Sequence, residues 1–337
     1  MIFADSRYFR IKSSSFLGNR KISYGDLDGV LNQGKITPLN SCGIDIDKQL
    51  AVIKMFNEHC ERFLMDDAIN TQVKSIDHIN KTIKLANKFD FSYNESVGYG
   101  IKDTTGTAAG YDSSKIIQKA VQELLEKNEM LLLWYKNKGK LIEKNNKIQK
   151  HINKFDFKSS YLDIFLCNEL SNFYTIITIV YTDTRIISSG IGVSYNFDVA
   201  LKLSLEEAYM LECGSLYYPL FSLNFVDEDT HQKAVNHVLY LKKNIETFKD
   251  SPDSPNNLKI DFVINENIKN LNIQVLNKGF GKRSTTIKCI STDLCNSLPT
   301  KNKIKTLIKN SCGNNWIVSN YELEKLDFEN IADCILV

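Results

Sequence analysis

The sequence predicts an α/β (α+β) fold in which sheets are covered by amphipathic helices that converge on one acidic site. Three observations carry that prediction. Long segments with apolar residues at helical spacing alternate with short runs of β-branched and aromatic residues. Three of the helical segments follow one plan: a glycine turn, an apolar stripe, then glutamates near the helix end. An apolar content of 43% over 337 residues is enough to bury a sizeable core beneath them.

The plan is clearest from Gly98 to Tyr135. Asp103-Thr104-Thr105-Gly106-Thr107-Ala108-Ala109-Gly110 is a turn of small and hydroxyl residues, where backbone can approach a ligand closely. A long helix follows, capped by Ser113 or Ser114, with Ile116, Ile117, Ala120, Val121, Leu124 and Leu125 on its apolar face. Glu123 and Glu126 stand three residues apart, so both carboxylates share a face. The same design appears earlier, where Gly43 leads into a helix over roughly 46–64 that ends with Glu58, Glu61 and Arg62. It appears again where Gly190 and Gly192 lead through Asp198 to Glu206 and Glu207. Gly43 to Glu58 is 15 residues, Gly106 to Glu123 is 17, and Gly192 to Glu207 is 15. Clustered carboxylates repel unless they face a cation. Hard oxygen ligands suit Mg²⁺, which with few protein ligands commonly arrives with a nucleotide's phosphates.

Taken in order, residues 1–40 read as an edge strand, RYFRIK, and a wrapping loop. Residues 65–97 read as a helix around Ile76–Ala86 and a loop. After the second acid helix, KNKGKLIEKNNKIQKHINKFDFK (136–158) is strongly basic and reads as a solvated helix. No aromatic interleaving accompanies it, so no nucleic-acid partner is expected. YLDIFLC (161–167), FYTIITIVYTDT (173–184) and RIISSGIGVSY (185–195) read as strands, the last two a hairpin turning at Asp183-Thr184. Residues 227–249 read as a helix and 250–257 as a proline-bearing break. LKIDFVI (258–264), NIQVL (272–276) and STTIKCIS (284–291) complete the strand expectations.

Several function classes fall away. No segment has the roughly 20 apolar residues of a membrane span, and MIFADSRYFRIKSSSF lacks the apolar core of a signal peptide. Eight cysteines without a C-x-x-C pair then point to reduced thiols in the cytoplasm. The five histidines have no metal spacing, and no nucleophile elbow, Walker loop or dinucleotide fingerprint is present.

The three acid units resemble those of the YcaO family, and in particular of the cyclodehydratase subunits of microcin-type azole synthetases. Gly43, Glu58, Glu61 and Arg62 match a first motif ending E-x-x-E-R. The Thr104–Gly110 turn with Glu123, Glu126, Lys127 and Asn128 matches the second, and LLLWYKNKGK (131–140) is also similar. Ala200, Ser204 and Glu207 match the third. The resemblance implies a single YcaO-like domain over residues 1–337, with a sub-boundary at the 250–257 loop. It implies ATP as cosubstrate, with Mg²⁺ held by Glu58, Glu61, Glu123, Glu126 and Glu207. It places Arg62, Thr104, Thr105, Lys127 and Lys54 around the nucleotide, and assigns no catalytic residue.

The activity so implied is phosphorylation of a backbone amide oxygen in a ribosomally made precursor peptide, giving thiazoline or oxazoline rings in bacteriocin biosynthesis. A leader-peptide-binding partner subunit and a flavin-dependent azoline dehydrogenase are the implied partners, since no separate leader-binding domain is evident. Two other readings accompany it. One is a thioamide- or amidine-forming enzyme, motivated by the last proline being Pro299. The other is a non-catalytic scaffold. Lys54, Lys127, Lys115, Leu203 and Met210 depart from the family pattern, and Lys54 and Lys115 could pair with Glu58 and Glu123 in place of a cation.

Overall fold

The computed structural model of the chain describes residues 10–17, 20–26, 31–32, 35–36, 40–65, 72–93, 95–96, 99–217, 222–249, 262–278, 285–298, 304 and 331–336. The elements begin with β1 (Arg10–Leu17), β2 (Arg20–Asp26), β3 (Leu31–Asn32), β4 (Lys35–Ile36), β5 (Asn40–Asp45) and α1 (Lys48–Leu64). There follow β6 (Gln72–Asp77), β7 (Thr82–Asn87), β8 (Glu95–Ser96), β9 (Gly100–Ile101), β10 (Thr107–Gly110) and α2 (Ser113–Lys136). The central part contains β11 (Lys140–Ile142), α3 (Asn146–Ile152), β12 (Tyr161–Cys167), β13 (Tyr174–Tyr181), β14 (Ile186–Ser194) and α4 (Phe197–Tyr217). Then come α5 (Glu228–Asn244), β15 (Glu246–Phe248), β16 (Asn272–Lys278) and β17 (Thr285–Ile290). The architecture is mixed α/β, as the sequence predicts.

Two compact units arise from this chain, one from Met1–Leu124 with Ile268–Ser297, the other principally from Leu125–Asn267. The division falls within α2. In the first unit, β1, β2 and β5 form an antiparallel sheet with Ser23 opposite Gly43. Helix α1 lies directly on β5. Its Ala51, Met55, Cys60 and Leu64 recur every four or five residues and are buried. A second sheet in this unit has the order β10-β17-β16-β6-β7 and is antiparallel throughout. Leu64, Met65, Phe91, Leu276 and Ile290 pack into a common cluster.

The second unit holds the sheet β14-β13-β12-β11-β15, antiparallel except for β11 with β15. Ile176, Ile177, Ile179 and Val180 of β13 are all fully buried, so this strand reads as one apolar run rather than an alternation. Helix α4 packs on β14 and buries Leu201, Leu205 and Ala208. The β13–β14 turn closes at the expected Asp183-Thr184, with Thr182 N–H donating to the Arg185 carbonyl at 2.8 Å.

Three local expectations change. The helix expected around Ile76–Ala86 is the β6–β7 hairpin, its turn closed by Asp77 accepting from the N–H groups of Ile79 and Asn80. Ile76, Ile79 and Ile83 imitate helical spacing, while Lys81 at φ 53 turns the chain back. The basic stretch 136–158 is not one helix but β11 and the short α3, which Asn145 caps. Of the strand expected at 258–264, Ile264 makes only an isolated bridge with Ser171, and 258–261 lie outside the described residues. The edge strand expected from 7 to 12 is seen as β1, beginning at Arg10, and 7–9 also lie outside. The 250–257 loop falls outside them as well.

Candidate functional site

Each acid-bearing helix begins on a side-chain cap of the same kind. Asp47 Oδ1 accepts from the N–H groups of Gln49 at 2.7 Å and Leu50 at 3.1 Å. Asp112 Oδ1 accepts from Ser114 at 3.1 Å and Lys115 at 3.3 Å. Asn196 Oδ1 accepts from Val199 at 3.1 Å. Such caps satisfy the amides a helix start leaves open, and they fix its first residue. The α2 cap is therefore Asp112 rather than Ser113 or Ser114. Counted from these caps, Glu58, Glu123 and Glu207 all stand at the eleventh position.

The first and third units agree beyond their caps. A Cβ at Gly43 would meet Met55 N at 2.6 Å, and one at Gly192 would meet Ser204 N at 2.5 Å, twelve residues on in both cases. Only a glycine lets strand and helix backbones come this close. That closeness places the glutamate within reach of the strand. Glu58 Oε2 accepts from Cys42 N–H at 2.7 Å, and Glu207 Oε2 accepts from Ile191 N–H at 2.5 Å.

Around Glu58 the first unit adds charge. Arg62 donates to Glu58 Oε1 at 2.6 Å from one helical turn on. Glu61 is nearly buried and accepts from Ala109 N–H in β10 at 2.7 Å. Burial pushes the Glu61 carboxyl above the usual range, the Lys119 ammonium 3.6 Å away lowers it, and Glu58 raises it further. Lys54 does not reach Glu58. Its ammonium lies 2.8 Å from Asp45 Oδ2 and donates to the Ile44 carbonyl at 2.8 Å. Lys115, largely exposed, stands 3.8 Å from Asp112. Neither lysine is therefore the partner of Glu58 or Glu123, and the cation on Glu58 is Arg62.

The Thr104-Thr105-Gly106 turn has Gly106 at φ 80, where a Cβ would meet the Cys289 carbonyl oxygen at 2.5 Å. Thr105 N–H donates to Asp103 Oδ1 at 2.7 Å, and Thr107 N–H to the Thr104 carbonyl at 2.9 Å. The carbonyls of Asp103 and Thr105 are held by Lys288, a fully buried residue that the sequence motifs do not single out. Its one signal is a lone charge between Ile287 and Cys289 in an otherwise uncharged strand. Burial brings the Lys288 ammonium down to about 8, while the charges of Asp103 and Glu123 favour its protonation. Glu126 and Lys127 follow on α2, both half-buried, within the second unit. On α4, Glu206 is buried beside Lys202 at 3.8 Å, while its neighbour Glu207 takes the β14 amide. Leu203 is partly exposed and Met210 buried.

The donor set suits a magnesium-bound nucleotide in kind, with carboxylate oxygens for the cation and a glycine turn for phosphate. Among the described residues no three acidic, histidine or cysteine side chains gather closely enough to hold an ion by themselves. Mg²⁺ takes most of its ligands from phosphate and water, so it does not require such a cage. No described helix is long and apolar enough to cross a membrane.

No protein-family model matches the chain, and no curated protein does. Solved structures do. YcaO from Methanopyrus kandleri, solved bound with AMPPCP and Mg²⁺, is similar at TM-score 0.67 and 10% identity, over 86% of this chain and 87% of that one. A chain of the E. coli microcin synthetase McbBCD complex is similar at TM-score 0.64 and 11% identity, over 88% of this chain and 91% of that one. A heterocyclase in complex with substrate and cofactor is similar at TM-score 0.54 and 12% identity, over 81% of this chain and 48% of that one. Likeness of this extent establishes the fold, and the chain has the fold of these YcaO and synthetase structures.

Proposed function

We propose that this chain is the ATP-dependent cyclodehydratase subunit of a peptide-modifying synthetase. The observation that carries the reading is the pair of backbone-clamped carboxylates, Glu58 on Cys42 N–H and Glu207 on Ile191 N–H. They stand in a chain whose fold is that of a protein solved with a nucleotide analogue and Mg²⁺. Its substrate is a ribosomally made precursor peptide, in line with the microcin synthetase complex of like fold solved with pro-MccB17 bound.

In this reading a Cys, Ser or Thr side chain of the peptide gives up its S–H or O–H proton to solvent and attacks the preceding amide carbon, and the carbonyl oxygen becomes an oxyanion. That oxygen displaces ADP from the γ-phosphorus of ATP. The C–O bond then breaks, phosphate leaves, the amide nitrogen loses its proton, and a C=N bond closes the azoline. One water equivalent is lost from the peptide and one ATP becomes ADP and phosphate. Hydroxide is a poor leaving group and phosphate a good one, so the protein's contribution is positioning and charge neutralisation. Glu58, Glu61 and Glu123 of the first unit, with Glu126 and Glu207 as the further acids the resemblance offers, would hold Mg²⁺, and the ion would supply neutralisation of phosphate charge. Arg62, Thr104, Thr105 and Lys54 of the first unit would contact the nucleotide, and Lys127 is the further residue that the resemblance offers. A leader-binding subunit presents the peptide, and a flavin-dependent dehydrogenase is the further partner that oxidation to an azole needs.

The test is mass spectrometry of the precursor after incubation with Mg-ATP and the assembled synthetase. Wild-type chain gives loss of one or more waters, and Glu58→Gln, with its fold checked by circular dichroism, gives none. Undiminished water loss with Glu58→Gln overturns the assignment.

A further inference from the structure

Lys288 occupies the middle of β17, fully buried, where its neighbours Ile287 and Cys289 are also buried. An ammonium there is costly unless its protons are bonded. It donates to the carbonyl of Asp103 at 2.7 Å and to that of Thr105. Cys289 N–H takes the carbonyl of Gly106 at 2.8 Å. Strand β17 thus draws three carbonyls of the Asp103–Gly106 turn toward itself.

Peptide planarity fixes the direction of the turn's amides. No peptide bond among the described residues is cis. In a trans peptide the N–H points opposite to the C=O of the same plane. With the carbonyls of Asp103 and Thr105 fixed on Lys288, the N–H groups of Thr104 and Gly106 point away from it. Neither donates to an acceptor among the described residues. The intervening Thr105 N–H is drawn aside by Asp103 Oδ1. Two amide donors from one turn, aimed alike, make an anion-binding concavity.

We infer that Lys288 is a positioning residue for a nucleotide phosphate: by fixing the carbonyls of Asp103 and Thr105 it aims the N–H groups of Thr104 and Gly106 at a phosphate oxygen. The inference rests on the proposed nucleotide site and adds a residue outside the three acid helices. Lys288 acts from behind the turn and does not touch the phosphate. Its positive charge also lies in the field of Glu123, so the phosphate turn and one of the proposed magnesium acids share an electrostatic neighbour.

The experiment uses the full chain with two substitutions. Lys288→Met keeps the stem and donates nothing, while Lys288→Gln keeps a donor on a shorter stem. Amide hydrogen exchange at Thr104–Thr107 is read without nucleotide, and Mg-ATP affinity by isothermal titration. For Met, exchange in the turn speeds up and Mg-ATP affinity falls, each on the order of tenfold, with Gln between Met and wild type. Protection at β13 stays unchanged. If Met does not fold, the Gln comparison decides. Wild-type affinity in the variants overturns the inference, as does weakened affinity with unchanged turn exchange, since the lysine would then act on the nucleotide directly. Failure of the wild-type chain to bind Mg-ATP overturns instead the nucleotide reading itself.

Discussion

The Glu58 carboxylate accepts a hydrogen bond from the amide of Cys42 at 2.7 Å, and the two residues are sixteen positions apart. Ile191 and Glu207 repeat that bond at 2.5 Å across the same separation. Each carboxylate is aimed by a strand that carries a glycine where the helix backbone comes closest. The spacing of glycine and glutamate is therefore a mechanical matter, and it makes the first prediction.

Gly43→Ala and Gly192→Ala are expected to destabilise the fold by at least ~2 kcal/mol each, because the new methyl meets helix backbone that cannot step aside. Gly139→Ala is the control. Its Cβ would first meet the end of the Leu133 side chain at 2.8 Å, which can rotate. Urea midpoints compared across the three variants check this, and equal losses would contradict it.

Glu61→Gln separates stability from function. The amide oxygen still accepts from Ala109 N–H, while the desolvated charge is gone. The expected result is a nucleotide-free melting temperature at or above wild type, by up to a few degrees, with the thermal stabilisation by Mg-ATP abolished. Differential scanning calorimetry with and without Mg-ATP reads both quantities.

Adjacent glutamates on α4 offer an internal comparison. Glu207 is clamped to β14, whereas buried Glu206 lies beside Lys202. Loss of water from the precursor peptide is expected to disappear with Glu207→Gln and to persist at no less than about a third of the wild-type rate with Glu206→Gln. The reverse pattern would move the proposed metal ligand by one residue.

Glu129 supplies a pH signature. Burial pushes its carboxyl up to about 7 from an ordinary 4.5, although Leu170 N–H donates to Oε1 at 2.6 Å. Because the folded value is the higher one, its contribution is fullest below about 4.5 and is lost as pH rises toward 7. Relative to Glu129→Gln, the wild-type chain should lose roughly 3 kcal/mol over that interval. Chemical denaturation of both proteins across the range measures it, and parallel profiles would refute it.

Much of this molecule is legible without coordinates. The acid helices show themselves because Ala51, Met55 and Leu64, or Ala120 and Leu124, recur at helical spacing over several turns. β12 and β13 show themselves because burial demands runs of apolar and β-branched residues, 164–167 and 175–180. The β6–β7 hairpin misleads because three isoleucines fall on helical spacing, and only the backbone reversal at Lys81 decides otherwise. Lys288 and Glu129 are silent for a different reason. Their partners lie far along the chain, Asp103 at a separation of 185 and Leu170 at 41. A local pattern can show which face of a helix is buried, but not which distant carbonyl or amide meets a charge there.

The strand–helix glycines also govern which changes of chain length the protein can accept. A one-residue insertion in α1 between Ala51 and Glu58 would turn Glu58 by about 100° around the helix axis, off the Cys42 amide. A deletion in α4 between Ala200 and Glu207 would do the same to the Ile191 bond. The two segments from glycine to glutamate are thus locked in their count.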